Sequence, residues 1–216
     1  MLLQPYKSNS ILDMIKEVES HESINHWTLV KNSEVNNKHK NKDGKLRTIL
    51  SIWYFKRKRF PDGRLMKHKS KLCSQKWIQK WGVNYWETYA PVVNWISARS
   101  LLSISSIHEF PIRSIDFLLA FPQADLDVDV LMELLLGMVV DGNRGEWVLK
   151  LNRSLYGLKQ ASANWFDILK TGLERRGYHQ SQVDPCVFFR KVSVILTYFD
   201  GFVIVSHKQE TIISLI

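Results

Sequence analysis

The sequence predicts an α+β fold. Three observations carry that expectation: apolar residues recur at helical spacing in three segments, they alternate or run together at strand spacing in others, and the two kinds of segment follow no regular βαβ series or repeat. With 45% hydrophobic and 24% charged residues over 216 positions, the chain should bury roughly 70% of its unfolded surface without staples. Cys73 and Cys186 stand far apart with no Cys-x-x-Cys spacing, which argues against a disulfide framework and a structural zinc site, and for a reducing compartment.

The elements follow in order. Ser10-Ile11-Leu12-Asp13 reads as a capping box, and Ile11, Met14, Ile15 and Val18 continue at helical spacing to about Glu22. Residues 31–45 are polar and rich in Asn and Lys, so they read as a looped or disordered insert. Ile49, Ile52, Trp53 and Phe55, then Pro61-Asp62-Gly63, then Leu65 to Leu72 predict a basic hairpin. Asn84 to Asn94 is an aromatic loop. Ala98, Leu101, Leu102 and Ser105 predict a helix, after which Arg113 to Ile115 enter a strand that delivers Asp116. Trp147, Leu149 and Leu151 alternate as in a half-buried strand. Trp165, Ile168, Leu169 and Leu173 line a helix that stops at Gly177. Val192 to Tyr198 and Phe202 to Val205 make a second hairpin, for which Asp200-Gly201 supply the two-residue turn.

No stretch is apolar enough to span a bilayer, and Met1 to Tyr6 lack the pattern of a secretory signal. The abrupt start reads as that of a fragment. Net charge is +9, and it is unevenly spread: residues 31–82 hold 16 basic and 3 acidic residues. Trp53, Tyr54, Phe55, Trp77 and Trp81 lie within that segment. Cations that displace counterions beside aromatic faces that stack on bases form the footprint of a nucleic-acid binder. A plain solvated basic face is the alternative.

Asp116 and Asp200 each end an apolar β-run, a placement from which carboxylates from distant strands can share a hard divalent cation; each also reads simply as a strand end or turn residue. The alternation Asp125-Leu126-Asp127-Val128-Asp129 resembles an EF-hand loop but has Val130 where glycine and Leu136 where glutamate would be needed. The seven histidines show no ligand spacing that would suggest a zinc nuclease.

A set of landmarks runs in order along the chain: Asn25-His26-Trp27-Thr28-Leu29-Val30; Trp53-Tyr54-Phe55-Lys56 with Pro61-Asp62-Gly63; Lys69-Ser70-Lys71-Leu72; Tyr89-Ala90-Pro91-Val92-Val93; Ile115-Asp116 with Ala120-Phe121; Ser154-Leu155-Tyr156-Gly157-Leu158-Lys159-Gln160-Ala161; Asp184-Pro185-Cys186-Val187-Phe188; and Leu196-Thr197-Tyr198-Phe199-Asp200-Gly201. Together they resemble the reverse transcriptase of copia-type retrotransposons, an RNA-directed DNA polymerase. The resemblance implies fingers and a palm whose antiparallel sheet packs on helices. Its divisions fall at a helical lead-in (1–30), a polar loop (31–46), a fingers-like region (47–112) and an incomplete palm-like region (113–216). It also implies catalytic and metal-binding roles for Asp116 and Asp200 and two magnesium ions. Lys69 and Lys71 would meet template or triphosphate, and Phe121 would lie beneath the deoxyribose to exclude a ribose 2′-hydroxyl. Gln160 would lie in the nucleotide pocket, while Tyr156, Trp165 and Tyr198 read as packing residues. The implied partners are an RNA or DNA template with primer and a dNTP, in a cytoplasmic particle or the nucleus, with no membrane. Integrase, ribonuclease H and thumb would lie outside this chain.

Departures from the pattern set the remaining expectation. Gly201 replaces the second carboxylate of Tyr-x-Asp-Asp, Lys71 replaces an arginine, Lys76-Trp77 replace a small glycine-rich pair, and Leu135 replaces a proline. The first removes a metal ligand and a negative charge, so weakened metal binding and a catalytically defective chain are expected, with a non-catalytic nucleic-acid-binding remnant as the alternative.

Overall fold

The computed structural model describes residues 4–214, with side chains from residue 11 onward. The elements are α1 (Gln4–Glu22), β1 (Trp27–Lys31), β2 (Thr48–Ile49), β3 (Ser51–Arg59), β4 (Leu65–Ser74), α2 (Trp95–Ile107), β5 (Ile112–Asp116), β6 (Asp125–Met132), β7 (Trp147–Arg153), α3 (Ala161–Arg175), β8 (His179–Gln180), β9 (Val187–Arg190), β10 (Ser193–Tyr198), β11 (Gly201–Ser206) and α4 (Gln209–Ile213). The chain forms two compact units. One holds the residues up to Trp86 together with Asp125–Ala161; the other holds Glu87–Ala124 and the residues from Ser162 onward.

The first unit contains an open four-stranded sheet, β1-β7-β6-β2, in which only the β2–β6 pairing is parallel. Leu131, Val148 and Val35 bury one face with Val30 and Leu46. The strand expected at Trp147–Leu151 is present, but it is buried more deeply than the half-buried alternation predicts, since Val148 is buried along with Leu149 and Leu151. The separate hairpin β3–β4 pairs from Ser51↔Ser74 to Arg59↔Leu65, with an irregularity at Lys58/Arg59. Its turn is held by Asp62, which accepts from the Arg64 backbone N–H at 2.9 Å and from its guanidinium at 2.7 Å. Helix α1 anchors here: Glu17 Oε1 accepts the Leu72 N–H at 3.2 Å. The helix begins at Gln4, so the Ser10 pattern lies inside it and does not cap it. Pro5 in the first turn costs the helix nothing there, since an N–H in that turn has no partner to lose. The polar insert is an ordered loop with a single 3₁₀ turn at Asn37–His39, capped by the Asn36 side chain accepting from Lys38 N–H.

The second unit is built on a five-stranded antiparallel sheet, β5-β11-β10-β9-β8. Helix α3 lays Leu169 and Leu173 on it, over Phe188, Ile195, Phe202 and Ile204, with Tyr178 and Ile212 closing the core. Strand β5, delivered after α2 as the sequence predicts, is an edge paired to β11. No helix among the described residues is long and apolar enough to cross a membrane.

Candidate active site and nucleic-acid interface

Strands β5 and β11 bring the two conspicuous aspartates into one neighbourhood. Asp116 closes β5 directly opposite Gly201, the first residue of β11, and Asp200 immediately precedes that glycine. The Asp200 carbonyl accepts the Phe117 N–H at 3.0 Å, which ties the turn to the segment after Asp116. Asp116 is exposed and Asp200 half-buried.

The turn itself differs from the one expected. Tyr198 and Gly201 are the closing pair, so the two-residue turn is Phe199-Asp200, with Phe199 at φ +49°. Gly201 is a strand residue, and its lack of a side chain serves close approach. A Cβ at position 201 would stand 2.6 Å from the Ile115 carbonyl oxygen and 2.9 Å from Asp116 Oδ1. Because residues directly opposite in an antiparallel pair share a face, the Asp116 carboxylate occupies space that a second carboxylate would need. The sheet uses this glycine, whereas the bulky Phe199 carries the strained turn conformation.

Five residues after Asp116, the half-buried Phe121 lines a cavity of about 230 Å³ with Tyr198, Phe199, Phe166 and Pro91. Behind it, Trp165 is 3% exposed among Ala120 and Ala124, stacks edge-on to Phe117 at 5.0 Å, and donates its Nε1–H to the Phe199 carbonyl at 3.0 Å. Trp165 is the residue that sequence reasoning set aside as packing. Helical spacing marks it as inward-facing but says nothing of an indole N–H reaching a turn 34 residues on.

Magnesium is ordinarily bound by one or two carboxylates with water and phosphate oxygens filling the rest. Asp116 and Asp200 are the carboxylates that the β5–β11 pairing brings into this neighbourhood. Among the described residues no group of three or more His, Cys, Asp or Glu is arranged to hold a metal.

In the first unit the β3–β4 register sets basic residues against one another: Lys56↔Lys69, Arg57↔His68 and Lys58↔Lys67. Like charges directly opposite are destabilising in isolation, and this ladder becomes favourable when a polyanion neutralises it. Alternation places Lys56, Lys58, Lys67, Lys69 and Lys71 on one face with Tyr54, which is 60% exposed. Lys69 is exposed as expected. Lys71 is half-buried, its ammonium 3.2 Å from the centroid of the Tyr156 ring.

The most specific motif, Leu155 to Ala161, acts as a structural knot. Gly157 adopts φ +86°, and a Cβ there would lie 2.4 Å from the Ser74 carbonyl oxygen. Ser74 N–H donates to the Tyr156 carbonyl at 2.7 Å. Gln160 is fully buried: its Oε1 accepts from Gln79 Nε2 at 3.0 Å and its Nε2 donates to the Asn84 carbonyl at 2.8 Å. An amide so engaged is committed to the loop at 79–84, and donating to a nucleotide would require breaking those bonds.

Two polar clusters were not foreseen. Asp129 accepts from Lys150 at 2.9 Å and Lys38 at 3.0 Å, and their hydrogen bonds hold its carboxyl well below the usual range, while Asp125 pairs with Arg153 at 3.4 Å, so these two aspartates of β6 are ion-paired strand residues. His21 and His26, both fully buried, meet Nδ1 to Nδ1 at 2.7 Å. Burial, then the neighbouring His21, pushes His26 down to about 3. Burial also raises the Cys73 thiol to about 11, which makes it unreactive.

Comparison with known proteins adds the ancestry of this arrangement. Residues 25–215 match the family described as "Reverse transcriptase (RNA-dependent DNA polymerase)". The chain is 32% identical over 215 residues, 94% of its length, to the retrovirus-related Pol polyprotein from transposon TNT 1-94 of Nicotiana tabacum. It is 34% identical over 156 residues, 70% of its length, to that from transposon RE1 of Arabidopsis thaliana. To the transposon Ty1-H Gag-Pol polyprotein of Saccharomyces cerevisiae it is 27% identical over 206 residues, 89% of its length. It spans only 16%, 11% and 11% of those three relatives.

Proposed function

Because the chain belongs to the reverse transcriptase family of copia-type retrotransposons, we propose that it is a fingers-and-palm domain that keeps nucleic-acid binding and has lost efficient DNA polymerisation. The reaction of such a domain joins a primer 3′-oxygen to the α-phosphorus of a dNTP. The bond from that phosphorus to the bridging oxygen breaks, pyrophosphate leaves, and the hydroxyl proton passes to solvent. In this reading the lysine face of β3–β4 binds template phosphates through charge, and Tyr54 offers a ring to a base. Phe121, which lines the cavity of about 230 Å³, would set its flat ring against a 2′-hydroxyl and exclude it by contact. Asp116 and Asp200 would hold a divalent cation, which when bound supplies charge to the transferring phosphate.

The observation that carries the reading is Gly201. It removes one carboxylate and lets Asp116 close over the place where that side chain would sit. Losing a positioned ligand ordinarily costs orders of magnitude in rate, because the charge it places is used in the transition state. The test places this glycine at the matching position of an active relative and assays dNTP incorporation on a primer-template with magnesium. No detectable extension is expected, and normal extension would overturn the assignment of Gly201 as disabling.

A further inference from the structure

Asp200 sits in a two-residue turn whose first member is in an unfavourable conformation. Phe199 has φ +49°, a region that a bulky side chain adopts only when its surroundings enforce it. Two successive carbonyls of that turn are held from outside the hairpin. The Asp200 carbonyl accepts from Phe117 N–H at 3.0 Å, and the Phe199 carbonyl accepts from Trp165 Nε1–H at 3.0 Å. The same indole stacks edge-on against Phe117, the residue next to Asp116, with 70° between the rings, and packs on Ala120 and Ala124. Trp165 itself is fixed by helix α3, whose next turn carries Leu169 into the core. One side chain therefore touches both segments that bear the aspartates, and it does so from a rigid element.

We propose that Trp165 is the positioning residue of the candidate site: its N–H holds the Phe199-Asp200 turn while its ring backs the segment after Asp116, so that both carboxylates keep one relative register. The inference rests on the reading of those carboxylates as the site, and it adds the device that aims them. The indole touches no reacting atom. It acts through Phe199 and Phe117, and a phenylalanine in its place would keep the ring contact while losing the donor.

The test uses the full chain and Trp165→Phe. Backbone amide exchange at residues 117 and 198–201 should rise about tenfold, the expected effect of losing one buried hydrogen bond, while exchange at Phe188 and Ile195 in the sheet centre stays unchanged. Manganese binding, followed by paramagnetic broadening of signals from residues 114–118 and 199–202, should weaken about tenfold with the unfolding midpoint nearly unmoved. A donor that merely packs would leave both local exchange and manganese affinity as they are, and that result would overturn the proposal. Exchange that rises throughout the second unit would overturn it too, since Trp165 would then be a general core residue. Asp116→Asn separates the two levels of argument. If the unmodified chain shows no manganese broadening that Asp116→Asn removes, the reading of the carboxylates fails, while the exchange experiment still decides whether Trp165 holds the turn.

Discussion

The first unit carries 22 basic and 13 acidic residues, and the second carries eight of each. All of the chain's formal net charge of +9 therefore belongs to the unit with the β3–β4 hairpin, and the unit with the two aspartates is electrically balanced. Charge-driven binding tolerates substitution, because it depends on how many cations face the phosphates and only weakly on exact placement. A paired-carboxylate site does not, because it depends on a close approach between two strands, and a single change at position 201 alters both the ligand set and the approach. On the proposed reading, binding and catalysis can thus decay at different rates.

The largest expected effect tests whether the first unit's motif is architectural. Gly157→Ala forces a Cβ against the Ser74 carbonyl in a left-handed conformation, and should cost about 3 kcal/mol, read as a fall in the chemical-denaturation midpoint. An unchanged midpoint would mean that the Leu155–Ala161 knot is not what holds residues 74–86. Next comes the acid limb. His26 is held neutral by burial, with its protonation lowered from 6.5 to about 3, so protons bind the unfolded chain more readily. Stability is complete above pH 6.5 and should fall by about 1.4 kcal/mol per pH unit below it. Glu17, Asp129 and Asp184, whose carboxyls are held low, add their loss only below about pH 4. The double variant His21→Leu with His26→Leu should flatten the limb between pH 6.5 and 5; an unchanged limb would assign it elsewhere.

Gly201→Asp bears on the second unit. Opening β5 from β11 and adding a third carboxylate should cost about 1–2 kcal/mol without divalent ions. Millimolar magnesium should recover part of that loss in the variant and stabilise the unmodified chain by less. Equal magnesium responses would show that position 201 is not beside an ion site.

The contrast between the units also explains what the sequence made legible. Hairpin β3–β4 was readable because its signals are local: β-prone residues flank Pro61-Asp62-Gly63, and the pairing register follows from the turn. Helices α2 and α3 were readable from periodicity for the same reason. Strands β1, β6, β8 and β9 were not singled out, and Ile49, read into the first hairpin strand, lies instead in β2 beside β6, since short strands take their identity from partners far along the chain, as Trp27 does from Leu151. The strand delivering Asp116 was visible as an apolar run with a lone acid. The role of Gly201 was misread because Asp-Gly is a strong turn signal, and only the β5 neighbour shows that the turn falls one residue earlier, at Phe199-Asp200. Gln160 was assigned by resemblance, and its burial by Gln79 and Asn84 is a tertiary fact that no spacing encodes.

The central claim, that binding and catalytic geometry reside in different units, is tested most directly by the salt dependence of primer-template binding. The unmodified chain should show a log-log slope of several units; changing Lys56, Lys58, Lys67 and Lys69 to glutamine should reduce its magnitude by about one for each phosphate left without a cation. Asp116→Asn with Asp200→Asn should leave the slope as it is. A slope insensitive to the four lysines, or one abolished by the two aspartate changes, would contradict the account.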